Sequence, residues 1–425
     1  MPVSRRSFVS ACLFTGAAAA HQQAPAKGDF VRIHGTKLVA PNHDKLLLRG
    51  INLANWLEPE GYMFLFDGGP QSPREIETFF NELIGPTAAQ AFWTQYRRNY
   101  ITKADIEFIR SSGLNSVRIP LHYRFFLNGN EGFALLDPIV DCCRQAGLWV
   151  ILDLHCAPGG QTGTNIDDSW GYPWLYESSA DQQSTIDTWV RIAQHYRDEP
   201  TVLGFDLLNE PNPQFPGTPK YNPVLKSLYE RITKAIREVD RNHIIILGGA
   251  QWDTNFGIFD WPMDSKIIYT FHCYWTPPKQ ETIQAYLDFA DQNNAPLWLG
   301  ESGENTDQWI MQFVQLLEKN HVGWCFWPYK KMEKTSCMAS ILKPPYWDEI
   351  VTFAKQPGGT GKAAAHIAAR PSLEHCRGVA QQLLENIRFE KCRVNGGYLQ
   401  ALGLNVPAGA DQKPALAPPI PDSPK

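Results

Sequence analysis

Eight short apolar runs recur along this 425-residue chain: Leu46 to Asn52, Ser116 to Ile119, Leu148 to Leu154, Thr201 to Leu208, His243 to Leu247, Lys266 to Phe271, Leu297 to Gly300 and Val322 to Phe326. Most are nearly continuous in hydrophobicity, the pattern of strands buried on both faces in a parallel sheet. Amphipathic stretches separate most of them: Lys103 to Ser111, Asp137 to Ala146, Ser184 to Arg197, Asn222 to Val239, Thr282 to Gln292 and Thr306 to Lys319. Strand and helix alternating in this way predict an α/β chain folded as one (β/α)8 TIM barrel over residues 27–405.

Two of the runs end on a carboxylate. Thr201 to Leu208 is followed by Asn209-Glu210-Pro211, and Pro211 cannot donate to a ladder, so the strand has to stop there. Pro296-Leu297-Trp298-Leu299-Gly300-Glu301 repeats the arrangement. The carboxyl ends of barrel strands carry the chemistry of such folds. Either Glu taken alone could merely open a solvated loop; two of them suit one reaction. Glycoside hydrolysis needs one protonated carboxyl to give a proton to the leaving oxygen and one carboxylate to attack the anomeric carbon.

Leu208-Asn209-Glu210-Pro211 and Trp298-Leu299-Gly300-Glu301 resemble the acid/base and nucleophile motifs of glycoside hydrolase family 5, the cellulase family within the clan of retaining barrel glycosidases. The resemblance spans roughly residues 46–404. It implies Glu210 as acid/base and Glu301 as nucleophile, with no metal or organic cofactor. Arg118 lies inside an apolar strand, where an unpaired guanidinium is costly, and the resemblance pairs it with Glu301, whose pKa it should lower. A structural salt bridge elsewhere in the barrel is the alternative. By the same resemblance His155 and His272 hydrogen-bond the sugar before the scissile bond. Tyr274 contacts the nucleophile, Asn209 binds the sugar 2-hydroxyl and Trp327 stacks under the reacting ring. His122 is a further rim candidate, and Trp170, Trp174, Trp252 and Trp275 are candidate platforms or core.

The implied partner is a β-linked polysaccharide or oligosaccharide, most often an endo-cleaved β-1,4-glucan. Mannanases, xyloglucanases and β-1,3-glucanases share the core. Asn52-Leu53-Ala54-Asn55-Trp56 and Asp153 to Gly159 also resemble the exo-acting β-1,3-glucanase branch. Rival readings are a zinc or two-metal hydrolase using Asp153 and His155, which has no bridging Lys or His-x-His pair to complete a site, and a non-catalytic glycan-binding barrel, which has no need of both Glu residues, Arg118 and Tyr274.

Composition fits. The 14 Trp, 15 Tyr and 22 Phe suit a saccharide groove as well as a core, and a net charge of -5 gives no basic field for nucleic acid or anionic membranes. No apolar run is long enough to span a bilayer. Nine cysteines without metal or framework spacing read as small buried hydrophobes.

Ser4-Arg5-Arg6-Ser7-Phe8 and the alanines that follow make residues 1–26 a twin-arginine export signal with a short linker, so the product is expected outside the cytoplasm, as a monomer. Glu58 to Tyr100, with a helix from Pro73 to Leu83, is expected to build one wall of the groove, and Ala157 to Tyr172 a rigid loop beside it. Helices from Trp347 to Lys355 and Leu373 to Arg388 flank a Gly-rich joint at Pro357 to Gly361, and 406–425 reads as a disordered Pro/Ala-rich tail.

Overall fold

The computed structural model describes residues 29–260, 262–356 and 361–413. The leader therefore lies outside the described residues, as do most of the Gly-rich joint and residues 414–425. Eight parallel strands close a barrel: β1 (Arg49–Asn52), β2 (Ser116–His122), β3 (Trp149–Cys156), β4 (Val202–Asp206), β5 (Ile244–Gly248), β6 (Ile267–His272), β7 (Leu297–Glu301) and β8 (Gly323–Phe326). They are ordered as in the chain, with β8 pairing back to β1 through Phe326 opposite Ile51.

The outer layer comprises α1 (Pro73–Ile84), α2 (Pro86–Tyr100), α3 (Lys103–Ser111), α4 (Glu131–Ala146), α5 (Ser179–Tyr196), α6 (Asn222–Val239), α7 (Gln280–Asn293), α8 (Asp307–Lys319), α9 (Trp347–Ala354) and α10 (Leu373–Asn386). Caps set several of their starts. Ser72 and Glu75 form a reciprocal capping box on α1, and Thr306 accepts from Trp309 N–H on α8. No long helix follows β5, where the chain makes only short helical turns at Ala250–Asp253 and Phe256–Ile258 before β6.

The run Leu46 to Asn52 splits in two. Lys45–Leu46 pairs in a small antiparallel sheet with Arg32–His34 and Lys37–Val39, and only Arg49–Asn52 enters the barrel. Val31, Leu38, Ala40, Leu46 and Leu48 pack with Trp149, Ile151, Leu203, Ile244, Ile246, Ile268 and Trp298, plugging the end of the barrel where the strands begin. The opposite end, where Glu210 and Glu301 lie, is left for the loops.

The insertion after β1 holds two helices where the sequence predicted one. They are joined by an aromatic cluster in which Phe80 stacks on Phe92 at 4.5 Å and Trp93 on Tyr96 edge-to-face at 5.1 Å. Beyond β8, Lys330–Met332, Ala339–Ile341 and Arg393–Val394 make a second three-stranded sheet. Lys330 is fully buried there, with Nζ 2.5 Å from Asp105 and donating to the carbonyls of Tyr100 and Ile387. Residues 406–413, expected to begin the tail, are tied to this sheet, since Asp411 N donates to Val394 O at 2.8 Å and its carboxylate pairs with Arg393. Among the described residues no helix is long and apolar enough to cross a membrane.

Candidate active site

Arg118, in mid-strand on β2, is completely buried and serves several partners at once. Its Nε donates to Asp206 Oδ2 at 2.9 Å, Nη1 to Glu301 Oε2 and Asn52 Oδ1 at 3.0 Å each, and Nη2 to Asn209 Oδ1 at 2.9 Å, with Asp153 Oδ1 3.1 Å away. Four strands thus converge on one planar fork, a geometry Lys cannot reproduce. Burial alone would lower its pKa; Asp153, Asp206 and Glu301 outweigh that and raise it. Burial pushes the Asp153 and Asp206 carboxyls up to about 7 against the opposing pull of this guanidinium.

Glu301 closes β7 with Oε2 on Arg118 and Oε1 accepting from Tyr274 Oη at 2.7 Å. Arg118 lowers its pKa as expected, yet the net shift is upward. Burial raises it, and Arg118 only opposes that rise. Two strong donors, Arg118 and Tyr274, favour its ionised form.

Glu210 stands in the left-handed region at φ 42°. The regular ladder of β4 ends at Asp206, yet Leu207 N still donates to Ile246 O and Asn209 N to Leu154 O, so the neighbouring strands aim the segment. Its Oε1 lies 3.0 Å from His272 Nδ1. Burial pushes its carboxyl up to about 7, with His155 and Arg118 opposing. His272 therefore faces the Glu210 carboxyl. Oxygen atoms of Glu210 and Glu301 and a ring nitrogen of His272 all lie within 4.8 Å of one another.

The remaining candidates surround this pair. His155 sits between Asp153 Oδ2 (Nδ1, 2.8 Å) and Asn209 Nδ2 (Nε2, 3.3 Å), and its ring stacks on Trp327 at 5.5 Å and 12°. Burial holds the His155 and His272 imidazoles down at about 4 and 3, leaving both neutral at physiological pH. Trp327 donates Nε1 to Tyr62 Oη at 2.7 Å, Tyr62 lies under the Lys331 ammonium, and Lys331 is held by both oxygens of Glu304. His122 belongs elsewhere, with Nε2 3.2 Å from Asp168 in the loop after β3. That loop is built on Asp167, which accepts from Gln161 N and Ser169 N, while Gln161 donates to the carbonyls of His155 and Asn209. Trp170 is 71% exposed beneath the Arg74 guanidinium, Trp174 and Trp275 are half exposed, and Trp252 meets Phe215 edge-on.

Sequence reasoning missed Asn52, Glu58, Glu60, Tyr62, Asp206, Gln161 and Asp253. Glu58 and Glu60 are buried beside His155, with donor atoms of the three within 4.8 Å, and burial pushes both carboxyls well up. That trio and Glu210, His272 and Glu301 are the groups among the described residues that could hold a cation. Two acids two residues apart in Leu57-Glu58-Pro59-Glu60, straight after a barrel strand, were the available signal. The eight cysteines among the described residues are free thiols.

The profile of the cellulase family, glycosyl hydrolase family 5, matches residues 79–333, from α1 to the first strand beyond β8. The chain belongs to this family. It is a glycoside hydrolase, and its closed eight-stranded barrel is the family's (β/α)8 fold. Among its family relatives a β-xylosidase of Phanerodontia chrysosporium is 27% identical over 351 residues, covering 71% of each chain. Endoglucanase C of Acetivibrio thermocellus is 24% identical over 316 residues, 57% of this chain and 88% of the relative. Of solved structures, rutinosidase from Aspergillus niger superposes with a TM-score of 0.58 at 19% identity over 68% of this chain and 92% of that one, a likeness of fold.

Proposed function

We propose that this chain hydrolyses a β-linked glycan with retention of anomeric configuration. Glu301 attacks the anomeric carbon while Glu210 gives its proton to the leaving oxygen. Water, deprotonated by Glu210, then releases the sugar from Glu301. The observation that carries this reading is the closeness of the two carboxyls, with oxygens within 4.8 Å, since retaining enzymes hold them about 5 Å apart and inverting ones leave roughly 6.5–9.5 Å for a water. The donors support the same division of roles: Arg118 and Tyr274 on Glu301, a neutral His272 at Glu210. Asn209 keeps one amide hydrogen for the sugar, and the Trp327 face stacks against it.

For substrate we propose a β-glucan cut internally at β-1,4 linkages, supported by the similarity to Endoglucanase C. A second reading, removal of terminal residues from β-1,3-glucan or another β-glycan, is favoured by one feature. Glu58, Glu60 and Tyr62 close the site beside His155 and Trp327 with buried polar groups, as a pocket for a chain end does. Hydrolysis of β-1,4-glucan, β-1,3-glucan, mannan and xylan, with products sized over time, separates the two. Early oligosaccharides of mixed length support internal cutting, release of a single small sugar from the start supports the pocket, and no cleavage of any glycan contradicts both. Export of the mature chain is part of this proposal, resting on Arg5-Arg6 and the small-residue run after them.

A further inference from the structure

Gln251, Trp252 and Asp253 are three consecutive non-glycine residues in the left-handed region, at φ 53°, 61° and 59°. Each is a strained conformation for its residue, and such runs persist where the surroundings dictate them, often at functional sites. They follow β5, the strand with no long helix after it, so the chain turns back over the barrel mouth.

The turn delivers the Asp253 carboxylate, itself 1% exposed, to the back of the acid/base. Oδ2 accepts from Glu210 N–H at 3.0 Å and lies 3.3 Å from His272 Nε2, near enough to confine the ring though out of line for a hydrogen bond. His272 Nδ1 in turn meets Glu210 Oε1. Space for the carboxylate is built in, since a Cβ on Gly248 would fall 1.7 Å from Asp253 Oδ1.

From this geometry we propose that Asp253 is the positioning residue of the acid/base: it grips the strained Glu210 backbone and backs the His272 ring, aiming the Glu210 carboxyl at the leaving oxygen. The inference rests on the reading of Glu210 as acid/base. Burial pushes the Asp253 carboxyl well above the usual range and keeps His272 neutral, so the grip is a hydrogen bond and a packing contact more than an ion pair. An amide can therefore replace the carboxyl, and Asn accepts a left-handed backbone readily.

The test compares kcat/KM, which reports the first displacement, on 2,4-dinitrophenyl and phenyl β-glycosides of the sugar the wild type cleaves. The dinitrophenolate leaves without a proton, whereas the phenolate needs one. Asp253→Ala is expected to lower kcat/KM for the phenyl glycoside roughly 10- to 100-fold and for the dinitrophenyl glycoside less than about threefold, following the worth of general acid catalysis. Asp253→Asn is expected to stay within about fivefold of wild type on both. Equal losses on the two substrates in Asp253→Ala, or an Asp253→Asn protein as impaired as Asp253→Ala on the phenyl glycoside, overturn the proposal. Glu210→Ala separates the two levels. If it leaves phenyl glycoside cleavage intact, or if the wild type cleaves no sugar of the series, the acid/base reading itself has failed.

Discussion

Tyr274 and Glu301 are joined by a 2.7 Å hydrogen bond in which the phenol donates to Oε1, the carboxylate oxygen not used by Arg118. Each oxygen of the proposed nucleophile thus has its own donor, so the carboxylate cannot rotate freely before attack. Tyr274→Phe removes one donor and leaves the ring. We expect kcat to fall about 100- to 1000-fold with little change in melting temperature, the range seen when one preorganised donor is lost. Steady-state kinetics beside a thermal melt checks this, and unchanged kcat would contradict it.

Arg118 is the hub of the buried ionic network, bordered by Asp153, Asp206 and Glu301. Removing the only cation described in that cluster strands three carboxyls in a dry interior. Arg118→Met should cost about 3–5 kcal/mol of stability, as breaking a buried pair does, and abolish activity. Arg118→Lys should recover little, because one ammonium cannot span four strands. Urea denaturation of the purified variants measures both.

The Glu210 carboxyl, pushed up to about 7 by burial, sets two pH dependences. As the acid of the first displacement it must be protonated, so kcat/KM should fall on the alkaline side through about pH 7. For stability the sign is the same. A carboxyl raised in the folded state favours folding below its ordinary pKa, and that contribution is lost as pH rises through the folded value. Glu210→Gln should therefore gain stability relative to wild type at pH 8 but not at pH 4, by roughly 3 kcal/mol. Melting curves at the two pH values decide it; an equal difference at both contradicts the account.

The barrel was legible because its strands are buried on both faces, and continuous apolar runs survive any uncertainty about their ends. Lys103–Ser111 and Asn222–Val239 match the expected bounds, where Thr102 and Pro223 start amphipathic stretches. Strand β1 was overextended because Leu46 belongs to the sheet that plugs the barrel, a tertiary fact that a local pattern does not carry. Convergence of His155, Asn209, His272, Tyr274 and Trp327 on the two Glu residues follows from their positions at or just beyond strand ends, and Arg118 reaches the same place from mid-strand on β2. The sign of the Glu301 shift did not follow, because desolvation depends on what the loops cover. Asp253 was hidden for a different reason: it follows a turn whose left-handed backbone has no signature in Ala250-Gln251-Trp252-Asp253.

Glu58, Glu60 and His155 could hold a cation, yet the proposed chemistry requires none. Activity on the cleaved glycan should survive prolonged dialysis against a chelator with a loss below about twofold, because a displacement run by two carboxyls needs no Lewis acid. A loss restored by adding a divalent metal would assign that trio a role the two-carboxylate account does not contain.

The central claim is tested most directly by trapping the intermediate. Incubation with a 2,4-dinitrophenyl 2-deoxy-2-fluoro-β-glycoside of the cleaved sugar should inactivate the enzyme, and peptide mass mapping should find one fluorosugar, on the peptide that contains Glu301. Label on a different residue, or turnover that yields the α-anomer first with no trapped species, would contradict a double displacement at Glu301.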